Sequence, residues 1–286
     1  MPSPERSYTG YAEDYTVRVE ADRPLLEMAS VQVHKALDLG TGTGTGIEDL
    51  IDMKVLVEPF TVIGIDLDEH NLEKARKNLS RLINPRNENH IILQKGNIEN
   101  LEGIESNSQE LILCRNTIHL TNASRVFSEM YRVIEPGGTI LVSSGYMSDK
   151  MYPPPEERAK IRWGLILGLA RQKLVKEHGY EKSQIPDPNL PDKYSSVSLM
   201  RLAREAGFIN SQTEDRIIEL GATPIAGLIK FDSFAEGAIP IEDIELAKKV
   251  MLEALENPKL QGKTFPRGIF YLKANKPLSV SLYPIR

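Results

Sequence analysis

The stretch Ala36-Leu37-Asp38-Leu39-Gly40-Thr41-Gly42-Thr43-Gly44-Thr45-Gly46 constrains this chain most, because an apolar strand runs into an acid and then into glycine at every second position. Glycine has no Cβ, so such a turn takes positive φ and lets a ligand lie directly against the main chain. A dinucleotide fingerprint requires glycine at the first, third and sixth positions. Counting from Gly40, Gly42 or Gly44, the sixth position is Thr45, Ile47 or Asp49, and none is glycine. The pattern therefore argues against a pyrophosphate seated on a helix N-terminus and for a nucleoside without phosphates, approached through the turn.

A second signal follows. Phe60-Thr61-Val62-Ile63-Gly64-Ile65-Asp66 is a β-branched apolar run ending at a carboxylate. An acid at the end of the strand after the glycine turn is placed to accept hydrogen bonds from ribose hydroxyls. Asp68-Glu69-His70-Asn71-Leu72-Glu73-Lys74-Ala75-Arg76 then reads as a helix with Asp68 as N-cap.

At this point the chain resembles the class I methyltransferases that use S-adenosylmethionine. Their acid-x-Gly-x-Gly-x-Gly motif matches Asp38, Gly40, Gly42 and Gly44, and their ribose-binding acid matches Asp66. The repeated Thr-Gly pairs leave a shift of two residues open, and Asp38 anchors the register adopted here. Gly96-Asn97-Ile98-Glu99 stands where the family usually has an aspartate touching the adenine amino group; the departure to Asn97 leaves an uncharged acceptor. Glu110 to Leu120 looks like the fourth strand and its exit, and Pro136-Gly137-Gly138 like the turn into the fifth. The resemblance spans residues 36–144 and returns more weakly at 197–218 and 268–275.

It implies an α/β fold with a doubly wound, mostly parallel seven-stranded sheet, the Rossmann-like methyltransferase fold, carrying helical lid insertions. S-adenosylmethionine is the implied cofactor, bound by Asp38, Gly40, Thr41, Gly42 and Gly44 at the turn. Asp66 and Leu67 are expected at the second strand end, Asn97 and Ile98 after the third, and Arg115 and Asn116 after the fourth. In this family a segment before the first strand commonly closes over the donor, which brings in Tyr8, Tyr11 and Tyr15. An aromatic ring facing a sulfonium gains cation–π attraction of about 0.5–2 kcal/mol, although each of these rings can equally serve packing.

The expected organisation is an N-terminal lid segment at 1–33, a donor-binding core at 34–144, a lid insertion at 145–195, core again at 196–218, a second lid insertion at 219–266, and the last strand and tail at 267–286. The first insertion contains a helical stretch from Glu156 to about His178, with Ile161, Leu165, Ile166, Leu169 and Leu174 toward one side. Ordinary packing, pocket lining or a homodimer contact would each use that face. The second insertion reads as irregular apart from a helix from about Ile241 to Glu256. Both would enclose an acceptor, which favours a small, lipophilic metabolite.

Composition narrows the partners. A net charge of −5 and a pI near 5.7 disfavour nucleic acid, whose phosphates call for clustered lysine and arginine. The single cysteine, Cys114, suits a reducing compartment, and no Cys/His spacing suggests a metal. The first residues lack the apolar region of a signal peptide, and the apolar run Trp163–Ala170 is too short to span a bilayer. The expectation is a cytoplasmic protein with no membrane partner.

The donor methyl is already activated, so a general base is needed only for a weakly nucleophilic acceptor. His119 is the first candidate for that base, since it follows the fourth strand and histidine titrates near working pH; loop packing is the competing reading. Asn116, Tyr146, Tyr152, Arg162 and His178 are further candidates. Two rival functions remain: a donor-binding protein that transfers no methyl, such as a cyclase, and an NAD-dependent oxidoreductase.

Overall fold

The computed structural model describes residues 11, 14, 17–82, 88–146, 162–188 and 194–278. The chain divides into two compact units, one formed by Met1–Ala21, Gly145–Lys193 and Arg216–Ile269, the other by Asp22–Ser144, Tyr194–Asp215 and Phe270–Arg286. Among the described residues no helix is long and apolar enough to cross a membrane.

Along the chain the elements are α1 (Arg23–Glu27), β1 (Val33–Leu39), α2 (Thr45–Asp52), β2 (Leu56–Asp66), α3 (Glu69–Leu79), β3 (His90–Lys95), β4 (Gln109–Arg115), α4 (Ala123–Val133) and β5 (Ile134–Tyr146). They continue with α5 (Arg162–Glu177), α6 (Ser196–Glu205), β6 (Ile209–Leu220), α7 (Ala222–Ile229), α8 (Asp232–Ala238), α9 (Ile244–Leu255) and β7 (Phe265–Asn275). The strands form one seven-stranded sheet in the order β3-β2-β1-β4-β5-β7-β6. Strands β1 to β5 pair in parallel, with Leu37 opposite Ile63 and Ile112, and Leu113 opposite Leu141. Consecutive residues of β1 and β4, among them Ala36, Leu37, Leu111, Ile112 and Leu113, are fully buried, as expected where helices cover both faces of a parallel sheet. At the last pair, Gly137 N and Lys276 O, then Lys276 N and Gly138 O, bond at 3.0 Å, and Asn275 Nδ2 reaches Thr139 Oγ1 at 2.9 Å. Rising numbers on β5 meet falling numbers on β7, so β7 is antiparallel.

This order positions the site. β1 lies beside β2 on one side and β4 on the other, so the connections leave its neighbourhood in opposite directions. This switch point between β1 and β4 is where ligands of open α/β sheets bind, outside the carboxyl ends of the strands. Local chemistry supports each element there. Gly44, at φ +87°, caps α2; Asp68 caps α3 by accepting from His70 N at 2.9 Å; Asn122 caps α4.

In the other unit α5 packs on α9. The buried face of α5 is Trp163, Ile166, Leu167, Ala170 and Leu174, while Leu165 and Leu169 are half-buried, a correction to the face read from the sequence; Ile161 and the stretch before it lie outside the described residues. Trp163 sets the phase: its ring packs against Phe234 and Phe265, and its Nε1 donates to Pro266 O at 2.9 Å. The region expected to be irregular holds α7 and α8 in addition to α9. Pro224 in the first turn of α7 is compatible with a helix start.

Candidate functional site

The glycine turn is tied to the end of β2: Gly40 N and Thr41 N both donate to Ile65 O, at 2.8 and 3.0 Å. Positive φ falls on Gly40, Gly42 and Gly44, and not on Gly46. The four glycines do different work. A Cβ on Gly40 would overlap the Thr117 side chain, and one on Gly44 would come within 2.8 Å of Leu79. One on Gly46 would lie 2.6 Å from Asp38 Oδ2. A Cβ on Gly42 would meet nothing nearer than Gly40 O at 4.0 Å. Packing thus demands glycine at 40, 44 and 46, whereas Gly42 faces open space and is where a ligand can approach the main chain.

Asp66 stands across from Gly42. Its Oδ2 accepts from Gly42 N at 2.9 Å, and its Oδ1 from Asp68 N at 2.9 Å and Asn71 Nδ2 at 3.5 Å. A carboxylate offers about four acceptor positions, so this half-buried group retains capacity for a ligand hydroxyl. Nearby, Thr43 Oγ1 and Asn71 Oδ1 are buried with no hydrogen-bond partner among the described residues. Buried polar atoms are normally satisfied, and these two mark polar capacity that a bound molecule can meet. Leu67, next in the chain, is 61% exposed and offers an apolar surface. Asn97 is exposed and its Oδ1 accepts from Glu99 N at 2.9 Å, while Ile98 beside it is buried. A nucleoside donor such as S-adenosylmethionine fits this set: an open glycine, a carboxylate with spare acceptor positions, and an apolar neighbour.

Asp38 plays a different part. It is buried beneath the turn and accepts from Thr41 Oγ1 at 2.7 Å. Burial pushes its carboxyl above the usual range, against the pull of Arg115 and the Thr41 hydroxyl. It shapes the turn from below.

At the β4 exit the Arg115 side chain is committed to protein groups. Nη1 lies 3.0 Å from both Asp22 Oδ2 and Asp49 Oδ2, and Nη2 donates to Thr45 Oγ1 at 3.1 Å. Burial alone would lower the guanidinium pKa, but Asp22, Asp49 and Asp38 outweigh it and raise it. Asn116 follows at φ +50°, a region asparagine tolerates better than most residues, with its N donating to Ser143 O at 2.8 Å. His119 sits in the 3₁₀ turn Ile118–Leu120, half-buried, with Nδ1 2.8 Å from Ser144 Oγ. A hydroxyl can donate or accept, so either tautomer fits. Tyr194 steadies the following loop, donating to Thr121 O and accepting from Ala123 N.

Of the remaining candidates, Tyr8, Tyr15 and Tyr152 lie outside the described residues. Tyr11 is buried with the Arg267 guanidinium over its ring, Tyr146 ends β5, Arg162 opens α5, and His178 is exposed just beyond α5. The partners that sequence reading missed, Asp22, Asp49, Ser144 and Tyr194, carry no local motif.

Residues 32–179 match the methyltransferase domain family. The sterol 24-C-methyltransferase of Debaryomyces hansenii is 24% identical over 149 residues, covering 52% of this chain and 38% of that protein. The demethylmenaquinone methyltransferase of Symbiobacterium thermophilum is 26% identical over 199 residues, covering 65% and 73%. The chain thus spans only 38% of the sterol enzyme's length. Among solved structures, the YcgJ protein of Bacillus subtilis superposes with a TM-score of 0.54 at 18% identity, covering 89% of this chain and 97% of that one, a likeness of fold. With just over half of its residues inside that one family, and with the family's sheet, the chain belongs to the methyltransferase domain proteins.

Proposed function

We propose that the chain transfers a methyl group from S-adenosylmethionine to a small, lipophilic metabolite. The observation that carries this reading is Gly42, whose N donates to the Asp66 carboxylate at 2.9 Å and whose missing side chain leaves the main chain open to a ligand. The donor supplies a methyl already activated as a sulfonium. Asp66 accepts the ribose hydroxyls, each such bond contributing about 1.5–3 kcal/mol. Leu67 and Ile98 flank the adenine. What the chain adds is alignment for in-line attack and exclusion of water, and alignment alone supplies about 7–11 kcal/mol. Where the acceptor is a hydroxyl or an acidic carbon, His119 takes its proton, with the ring oriented by Ser144. The lipophilic acceptor is supported by relatives named for sterol and demethylmenaquinone.

Calorimetric titration with S-adenosylmethionine, with NAD as control, tests the donor. Binding of the former alone is expected; binding of NAD instead, or of neither, overturns the reading. Release of S-adenosylhomocysteine across quinol, sterol and hydrophilic amine acceptors tests the rest, and turnover confined to the amines overturns the lipophilic assignment.

A further inference from the structure

The buried charge cluster behind the glycine turn is larger than a single ion pair. Asp22, Asp38 and Asp49 are all nearly inaccessible, and Arg115 is the guanidinium placed among them, its side chain 8% exposed. Arg23 Nε reaches Asp49 Oδ1 only at 4.0 Å. Such a cluster is a weak source of stability, since desolvating the charges cancels most of their attraction, and well-packed apolar residues do as well. What it supplies is a fixed geometry, because the planar guanidinium fork has set donor directions.

Those directions lead to the donor turn. Nη2 binds Thr45, the residue directly after Gly44, and Nη1 binds Asp49 one turn further along α2. Thr117, two residues after Arg115, abuts Gly40. The β4 exit therefore grips the glycine turn at both ends, Gly40 through Thr117 and Gly44 through Thr45. The same Nη1 reaches Asp22, the residue directly before α1.

We propose that Arg115 is a positioning residue for donor binding: through Asp22, Asp49 and Thr45 it holds the glycine turn, the β4 exit and the start of α1 in one register without touching the donor itself. This rests on the reading of the turn as the S-adenosylmethionine site.

The test compares wild type, Arg115→Lys, Asp22→Asn and the double variant, each as the full chain, by calorimetry with S-adenosylmethionine well below the melting temperature. Lysine keeps the charge but cannot reach all three partners at once. Asp22→Asn leaves the Arg115–Asp49–Thr45 contacts in place. Both single variants are expected to weaken the donor by about tenfold, with the double variant weaker by less than the product of the two. At saturating donor, kcat should stay within about twofold of wild type, the loss appearing in KM. A residue that serves stability alone lowers the melting temperature and leaves the affinity of the folded protein unchanged, so unchanged affinity in Arg115→Lys overturns the proposal. Loss in Arg115→Lys with normal affinity in Asp22→Asn also overturns it, in favour of direct contact. Failure of wild type to bind the donor at all instead removes the functional reading beneath it.

Discussion

Gly40 and Gly42 both adopt positive φ, yet the structure separates what a side chain would do at each. Gly42→Ala meets only Gly40 O, at an unstrained 4.0 Å, and costs about 1–2 kcal/mol in backbone strain. It should melt slightly below wild type and lose donor affinity steeply in calorimetry; normal affinity would place the ligand elsewhere. Gly40→Ala meets Thr117 and should lose more stability than Gly42→Ala in the same melts. Asp66→Ala should weaken the donor by about 1.5–3 kcal/mol for each ribose hydroxyl bond lost while the fold survives, since it removes a charged acceptor from a half-buried position. His119→Ala should lower kcat by about a hundredfold with donor affinity unchanged, and Ser144→Ala by less; full activity in His119→Ala would return the imidazole to loop packing. Asp38 has its carboxyl raised by burial, so ionising it costs folding free energy. Its contribution therefore falls as pH rises from the unfolded value of 3.8 toward the raised folded one. Asp38→Asn should flatten that acid-side slope in denaturant titrations at several pH values. An unchanged slope would mean the carboxyl titrates normally.

At the scale of elements, what could be read in advance was what is written locally. Asp68 as the cap of α3 needs only its own neighbours, and so does a strand followed by glycines. Helix phase is harder. Both Leu165 and Leu169 on one stripe and Trp163, Leu167 and Ala170 on another are apolar, and only the rings of Phe234 and Phe265 decide between them. Trp163→Ala should therefore cost about 3–5 kcal/mol in chemical denaturation, and Leu165→Ala well under half as much. Comparable losses would show that the stripe is misassigned. The helices α7 and α8 were hidden because they are short, and Pro224 resembles a breaker until its first-turn position is known. At the site, Asp38, Gly42 and Asp66 stood out because each ends or follows a strand. Asp22 and Asp49 did not: Asp49 is 66 positions from Arg115, and no spacing rule links a helix carboxylate to a distant strand end.

For the whole molecule, the residues assigned to the donor from Asp38 through Asn116 belong to one compact unit. Donor at a hundred times its Kd should add about 2.7 kcal/mol to that unit's stability, and amide exchange should slow at 40–46, 65–68 and 97–98. NAD should leave those amides unchanged. Equal protection by both nucleotides would favour the oxidoreductase reading. One feature of the sheet bears on synthesis. The partners of β1 are β2, which follows soon after it, and β4, whose Leu111 pairs with Ala36. The switch point between β1 and β4 exists only once that long-range pairing forms, and such contacts are slow because the intervening loop must first be brought together. A growing chain that has passed Asp66 already displays every glycine of the turn and the acid opposite, and it still has no site. On the proposed reading, recognition of the donor waits for β4 to emerge and dock, which makes binding a report on the β1–β4 pairing.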